Sequence, residues 1–445
     1  MSATLADLPT IAVPDSYPLE MPSLLARMAA EHGPIFKREW GGGQTTVYMV
    51  GPEANAFVLR THRDHFSHDL GWTPIIGDIL GRGLLNMDDP DHARDRRLMN
   101  PAFAAAYMER YLPIMRRVIA ERTRTWSASD SVDVYQEARK ITFDVAAEAL
   151  VGLPTGAGVD RLRELFYTLV NAEFEAGVET EEQYWARIAA AHAELQAMLR
   201  AMIAERRAEP ADTPRSDVLA LLVHARDEAG RGLSDEQLLG HVNILLVAGH
   251  ETSTTLAAWL LYELAAHPDY LARIHEELDA AMPDPAAPLG IETLRGLRVL
   301  GNAMTEAGRL HPPAGNVPRG VVKPFEFAGY TIPTGARVFY SVAASHRLPE
   351  VFHDPERFDP DRFEPPREED RATPYGLVTF GGGPRVCIGM NFAQTEIKAL
   401  AAHLLRSHTV RPIAGREPAM VYYSPVGFIA TGVALRVVPR EPVAG

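Results

Sequence analysis

Between Pro90 and about Leu310 the apolar positions recur at spacings of three and four, and Ala, Leu, Arg and Glu dominate. That period predicts a helical region. Its clearest helix opens at Ser234-Asp-Glu-Gln237, a capping box in which serine and glutamine satisfy each other's backbone N–H. The pattern runs without proline to His267, and Pro268 opens the next helix. About 34 residues at 1.5 Å each make a rod of roughly 50 Å. Its interior, His241–Ala257, is apolar nearly all round, which predicts burial. Outside this region the pattern changes to short strand-like runs. They are Pro34–Lys37 and Thr45–Val50 around Gly41-Gly42-Gly43, then Phe325–Thr331, Ala336–Ser341 and Gly427–Val438. Strands from both ends of the chain predict one sheet closed by long-range contacts. Residues 1–34 read as a Pro-rich lead-in, and Glu209–Arg215 and Met282–Leu289 as surface loops. The expected fold is mainly α with a small mixed β-sheet.

Composition narrows the class. Hydrophobic residues at 46% and charged residues at 23% of 445 are globular values. A net charge of −14 argues against nucleic acid as a partner. The first 25 residues carry acidic groups and four prolines in place of a secretory signal, and no stretch reaches the ~18 uninterrupted apolar residues of a membrane span. The expectation is a cytoplasmic protein with no membrane anchor. A single cysteine, Cys387, excludes internal disulfides and multi-cysteine metal sites.

That cysteine lies in the most informative run of the chain, Phe380-Gly-Gly-Gly383-Pro-Arg385-Val-Cys387-Ile-Gly389. Three glycines and a proline make a tight loop, and the helical pattern Met390–His408 follows it. Backbone N–H groups of a helix N-terminus favour a thiolate, Arg385 adds a cation, and a soft anionic sulfur suits haem iron. Two other motifs fail on spacing. Gly381-x-Gly383 has Val386 where a dinucleotide loop needs glycine or alanine, and His250-Glu251 has Thr254 where a zincin needs its second histidine.

Phe380-x-x-Gly383-x-Arg385-x-Cys387-x-Gly389 resembles the haem-binding loop of the cytochrome P450 family at every fixed position. The resemblance implies one P450 haem domain over residues 1–445 and haem b (iron protoporphyrin IX), with Cys387 on the iron. Ala248-Gly249-His250-Glu251-Thr252-Ser253 resembles the family's acid–alcohol pair, in which Thr252 and Glu251 manage oxygen and protons. Thr252 can also hydrogen-bond the carbonyl four residues back and loosen a helical turn. Glu306-x-x-Arg309 and the later Arg362 resemble the family's buried salt-bridge triad, which sets the cysteine loop; Arg357 fits the spacing less well. His92-x-x-x-Arg96, Arg319 and Arg385 match the positions that hold the two haem propionates. Leu310-His311 departs from many soluble bacterial members and leaves the subfamily open.

The same resemblance places substrate above the haem. The segments concerned are the loop Trp72–Leu85, with Trp72, Ile75, Ile76 and Leu84, then Asn243, Leu246, Val247 and Ala248, then Val317, and finally Tyr422–Val426 with Tyr423. Their apolar character implies a large apolar small molecule such as a lipid, terpenoid or polyketide. The expected reaction is hydroxylation or epoxidation with O2. Too few residues follow the cysteine helix for a fused reductase, so electrons are expected from a separate ferredoxin or flavodoxin with its reductase, docked on Arg94, Arg97 and Lys398. A P450-fold isomerase or dehydratase and a non-catalytic haem sensor are the alternatives, and the intact Glu251-Thr252 pair speaks against the first.

Overall fold

The computed structural model describes residues 3–11, 21–170, 179–210, 213–284, 287–421 and 427–440. Its axis is the central helix Asp235–Ala266. Ser234 Oγ accepts the Gln237 N–H at 3.2 Å, and Gln237 Oε1 accepts the Ser234 N–H at 3.0 Å, closing the capping box. The helix packs along Val134–Val151, Arg298–Leu310 and Met390–Leu405. Among the described residues it is the one helix long and apolar enough to cross a membrane by composition, and 78% of its most apolar window is buried inside the protein. At Gly240 it is crossed at close range. A Cβ there would lie 1.9 Å from the Arg82 carbonyl, and one on Gly83 would lie 2.6 Å from the Gly240 carbonyl, so both crossings need glycine.

The β structure departs from the single sheet expected. Ile35–Trp40, Gln44–Met49, Arg337–Ser341, Asn316–Val321 and Phe66–Ser67 form one five-stranded sheet in that order. Phe325–Phe327 and Tyr330–Ile332 form a hairpin around Ala328-Gly329, and Tyr330–Ile332 pairs on its other edge with Ala3–Thr4. The C-terminal strand Ala434–Pro439 joins His408–Pro412 and Val132–Asp133, far from the N-terminal strands, and Met420–Val421 pairs only with Phe428–Ile429. Alternation identifies strands; it carries no information on which strands pair.

Two helices also lie where none was expected. Met21–His32 falls within the Pro-rich lead-in and buries Met21 and Leu25 against the sheet. Asp69–Leu80 occupies the supposed loop Trp72–Leu85, despite Gly71, Pro74 and Gly77. Weak propensity is overridden by packing, because a side chain on Gly71 would strike the Arg319 backbone at 2.8 Å and the helix therefore seats directly on the strand Asn316–Val321.

One charge network is fully buried. Glu306 accepts Arg309 Nε and Nη2, both at 2.8 Å, and Arg362 Nε at 3.0 Å. Arg362 Nη1 also donates to Glu369 at 2.6 Å, a fourth member that sequence spacing does not reveal. All three side chains of Glu306, Arg309 and Arg362 have 0% exposure. The network reaches the cysteine loop through His346. Its Nδ1 lies 3.2 Å from the Arg309 carbonyl, and its Nε2 accepts the Val378 N–H at 2.9 Å. Burial and the Arg309 charge push His346 down to about 3, so it stays neutral and keeps Nε2 as an acceptor. Arg362→Ala strands the Glu306 carboxylate and is expected to cost about 3–5 kcal/mol in a denaturant titration; a loss below 1 kcal/mol would show that the network carries little stability.

Candidate active site

Cys387 follows a loop turned by Gly381 and Gly383, both with positive φ (71° and 60°). At Gly383 a Cβ would meet the Leu59 carbonyl at 2.5 Å, so glycine is required twice over. The Cys387 N–H donates to the Phe380 carbonyl at 2.8 Å, and Met390–Leu405 begins three residues on. Thr379 Oγ1 donates to the Gly308 carbonyl at 3.3 Å, tying the loop to the helix of Glu306.

Cys387 opens onto an internal cavity of about 1170 Å³. Phe380 and Gly389 line the same end. The Cys387 side chain is exposed to this cavity, and its protein surroundings push the thiol up against the opposing Gly389 N–H and Arg96 charge.

The central helix forms another wall with Val247, Ala248, Gly249, Glu251 and Thr252. Thr252 Oγ1 donates to the Ala248 carbonyl at 2.7 Å, yet the helix stays α-helical throughout, and no loosened turn is present. Glu251 is not a free acid. Its Oε1 accepts Arg139 Nη2 at 2.7 Å and lies 3.1 Å from His250 Nε2. Burial raises its pKa, but His250 and Arg139 outweigh that and bring it to about 2. Arg139 comes from Val134–Val151 and also lines the cavity; no sequence signal marks it.

Cations collect along a third edge. His92, Arg96, Arg319 and Arg385 all line the cavity, and His68 joins them. Arg385 Nη1 donates to the Met87 carbonyl at 2.7 Å, and its Nη2 lies 3.7 Å from Asp89. His92 Nδ1 lies 3.3 Å from the same carboxylate, and burial plus the Arg385 charge lower it to about 4. Burial lowers Arg319, which donates to its neighbour's Pro318 carbonyl and touches Tyr340, and burial likewise lowers Arg96. Neither arginine forms an ion pair among the described residues. His68 is held well below its usual range by burial and by Arg319, Arg385 and His92. A lone histidine after a two-residue strand gives sequence reasoning nothing to act on.

Of the residues expected at the substrate wall, Trp72, Ile75, Ile76, Leu84, Val247, Ala248 and Val317 line the cavity. Asn243 and Leu246 do not. They are buried on another face of the central helix, whose cavity side is set by Ile244, Leu245, Val247 and Ala248. Tyr423 lies outside the described residues. The expected basic dock is also reduced. Arg94 is engaged by Asp227 and Asp95, both at 2.8 Å, and Lys398 Nζ caps the Leu294 and Leu297 carbonyls at 3.1 Å. Arg97 remains exposed.

The family description Cytochrome P450 matches residues 16–435. A Mycobacterium tuberculosis protein named "Putative cytochrome P450 136" is 33% identical over 81% of this chain and 73% of its own. A cyanobacterial protein, CYP120A1, solved with retinoic acid bound, superposes with a TM-score of 0.84 at 26% identity over 99% of this chain and all of that one. The haem domain of cytochrome P450DA superposes with a TM-score of 0.86 over 98% of each chain. The chain belongs to the cytochrome P450 family. Its members are haem-thiolate monooxygenases that use O2 and electrons from redox partners.

Behind the cavity wall sits one further acid. Glu396 of the cysteine helix is 1% exposed, and neither oxygen meets a partner at hydrogen-bonding geometry. Burial pushes it up to about 8, with the Ser253 hydroxyl pulling weakly the other way. The folded state therefore holds a proton that the unfolded chain releases near 4.5. This stabilisation is complete below that value and is lost as pH rises to about 8. Glu396→Gln stays neutral, so its stability is expected to gain on the native protein by up to about 1.4 kcal/mol per pH unit across this window. Thermal melts of both proteins from pH 5 to 8 check this, and parallel curves would contradict it.

Proposed function

We propose that this P450 inserts one atom of O2 into an apolar small molecule of lipid, terpenoid or polyketide type, by hydroxylation or epoxidation. The observation that carries the proposal is the cavity itself. It has a lone thiol at one end, a carboxylate and a hydroxyl on the central helix, and aliphatic and aromatic walls between them. A solved relative of the same fold holds retinoic acid, an elongated apolar carboxylate, which supports the substrate class.

The residues fit iron protoporphyrin IX. Cys387 offers the sulfur, and Arg96 and Arg319, which have no carboxylate partner among the described residues, suit its two propionates together with Arg385, His92 and His68. When bound, the haem supplies the iron at which O2 is reduced. Ile75, Ile76 and Val317 exclude water from the substrate. Thr252 orients a hydroxyl into the cavity, and Glu251 holds a carboxylate next to it. Electrons arrive from a separate ferredoxin or flavodoxin with its reductase.

The reduced carbon monoxide complex tests the sulfur assignment. A thiolate-ligated haem gives a red-shifted Soret band, expected for the native protein and lost in Cys387→Ala. A band that survives this substitution overturns the proposal. For the substrate class, retinoic acid and other long apolar carboxylates are expected to shift the haem spin state on titration, while small polar compounds leave it unchanged.

A further inference from the structure

His250 is wholly buried, and its ring lies between two groups that can only accept. Nδ1 is 2.7 Å from the Leu246 carbonyl, so that nitrogen carries a hydrogen. Nε2 is 3.1 Å from Glu251 Oε1. A neutral imidazole has one N–H, already used on Leu246, and would turn a lone pair on the carboxylate. The contact is attractive only when the pair holds one more proton. The same oxygen also receives Arg139 Nη2 at 2.7 Å, which favours keeping it as a carboxylate and placing the proton on the ring.

The surroundings are closed and otherwise uncharged. From Val134–Val151 come Arg139, the edge of Phe143 at 5.0 Å from the imidazole, and Thr142, whose hydroxyl donates to the His250 carbonyl at 3.3 Å. Tyr135 of that helix faces Glu251. From Ala157–Val170 comes Tyr167, 6.1 Å from the imidazole, with the Arg139 guanidinium stacked on it at 3.9 Å. Glu251 alone among these faces supplies negative charge to His250.

We propose that His250 is held as the imidazolium and that, with Glu251, it stores a proton for the oxygen chemistry at Thr252. The inference rests on the oxygen-activating function proposed above. In the transfer, the Nε2–H bond breaks and an Oε1–H bond forms. No electron moves, and a neutral Nδ1–H imidazole and a neutral carboxyl on the cavity wall are left; solvent restores the proton. His250 is thus a positioning residue that acts through Glu251.

Histidine-selective 15N NMR on the haem-loaded, reduced carbon monoxide complex tests this directly, with His250 assigned by its loss in His250→Asn. The native protein is expected to show both His250 nitrogens protonated from pH 6 to 8, and Glu251→Gln to show a neutral ring at pH 8. A neutral ring in the native protein at pH 7 overturns the inference. If His250→Asn fails to fold, the assignment comes from the histidine signal that moves in Glu251→Gln, and no moving signal also overturns it. As a second readout, O2 uptake with a surrogate ferredoxin and its reductase is expected to be flat from pH 6 to 8 in the native protein. In His250→Phe it is expected to fall toward tenfold per pH unit, the slope of a proton drawn from bulk solvent. Parallel profiles overturn the role in proton supply. A missing thiolate band rejects the underlying function, whereas a normal band beside a neutral His250 rejects this inference alone.

Discussion

Glu306 is a carboxylate with no exposure in the middle of a helical protein, and removing such a group from water costs several kcal/mol unless charged donors surround it. Arg309 and Arg362 surround it, and each guanidinium also donates to backbone carbonyls. Arg309 takes those of His346 at 2.8 Å and Pro355 at 2.7 Å, and Arg362 takes that of His353 at 2.7 Å. Charge satisfaction therefore dictates the path of an otherwise irregular segment, residues 346–362. That path carries His346 to Val378 and so holds the backbone nine residues before Cys387. The sulfur is placed by a chain of compulsory polar contacts that begins at a carboxylate outside the cavity lining.

The central helix meets the opposite requirement. It must be apolar to serve as the axis of the core, yet one turn of it carries His250, Glu251 and Thr252. The polar atoms of that turn are satisfied locally. Thr252 bonds to Ala248 and His250 to Leu246, and of the three side chains only Glu251 bonds to another helix, through Arg139. Because the backbone absorbs most of these contacts, the helix keeps its α geometry and chemistry costs the core little. Glu396 shows the other solution to the same problem. With no cation near it, it remains protonated, whereas Glu251, between Arg139 and His250, remains ionised.

Local signals were legible in the sequence wherever physics is local. The capping box at Ser234, the glycines around Cys387 and the i, i+3 pairing of Glu306 with Arg309 all follow from neighbours along the chain. Helix Asp69–Leu80 was not legible, because its stability comes from a strand 250 residues away rather than from residues with helical propensity. The sheet pairing failed for the same reason. At the cavity, motif positions pointed to Cys387, Glu251, Thr252 and most of the cations, all of which line it. Arg139, His68 and His346 escaped notice because each is a single residue whose partner is distant in sequence. Asn243 and Leu246 erred by one helical face, since an all-round apolar helix does not disclose which side is open.

Two cations at the cavity edge, Arg96 and Arg319, have no ion pair among the described residues. Arg319 is 3% exposed, and burial outweighs the favourable pull of Tyr340 and the more distant Asp88 on its charge. A chain with 58 acidic residues against 44 basic ones has ample carboxylates to pair it, yet none among the described residues does so. Such a placement is unfavourable for the chain alone and would be relieved by an anionic group such as a haem propionate. The histidines around it strengthen the argument. His68 and His92 are both pushed toward neutrality, so they add hydrogen-bond donors without adding further positive charge. The edge would thus suit an anion of limited charge, such as the propionates of a haem, beside the apolar walls of the cavity. The same arrangement of charge that would hold such a cofactor is thus a cost to the chain without it.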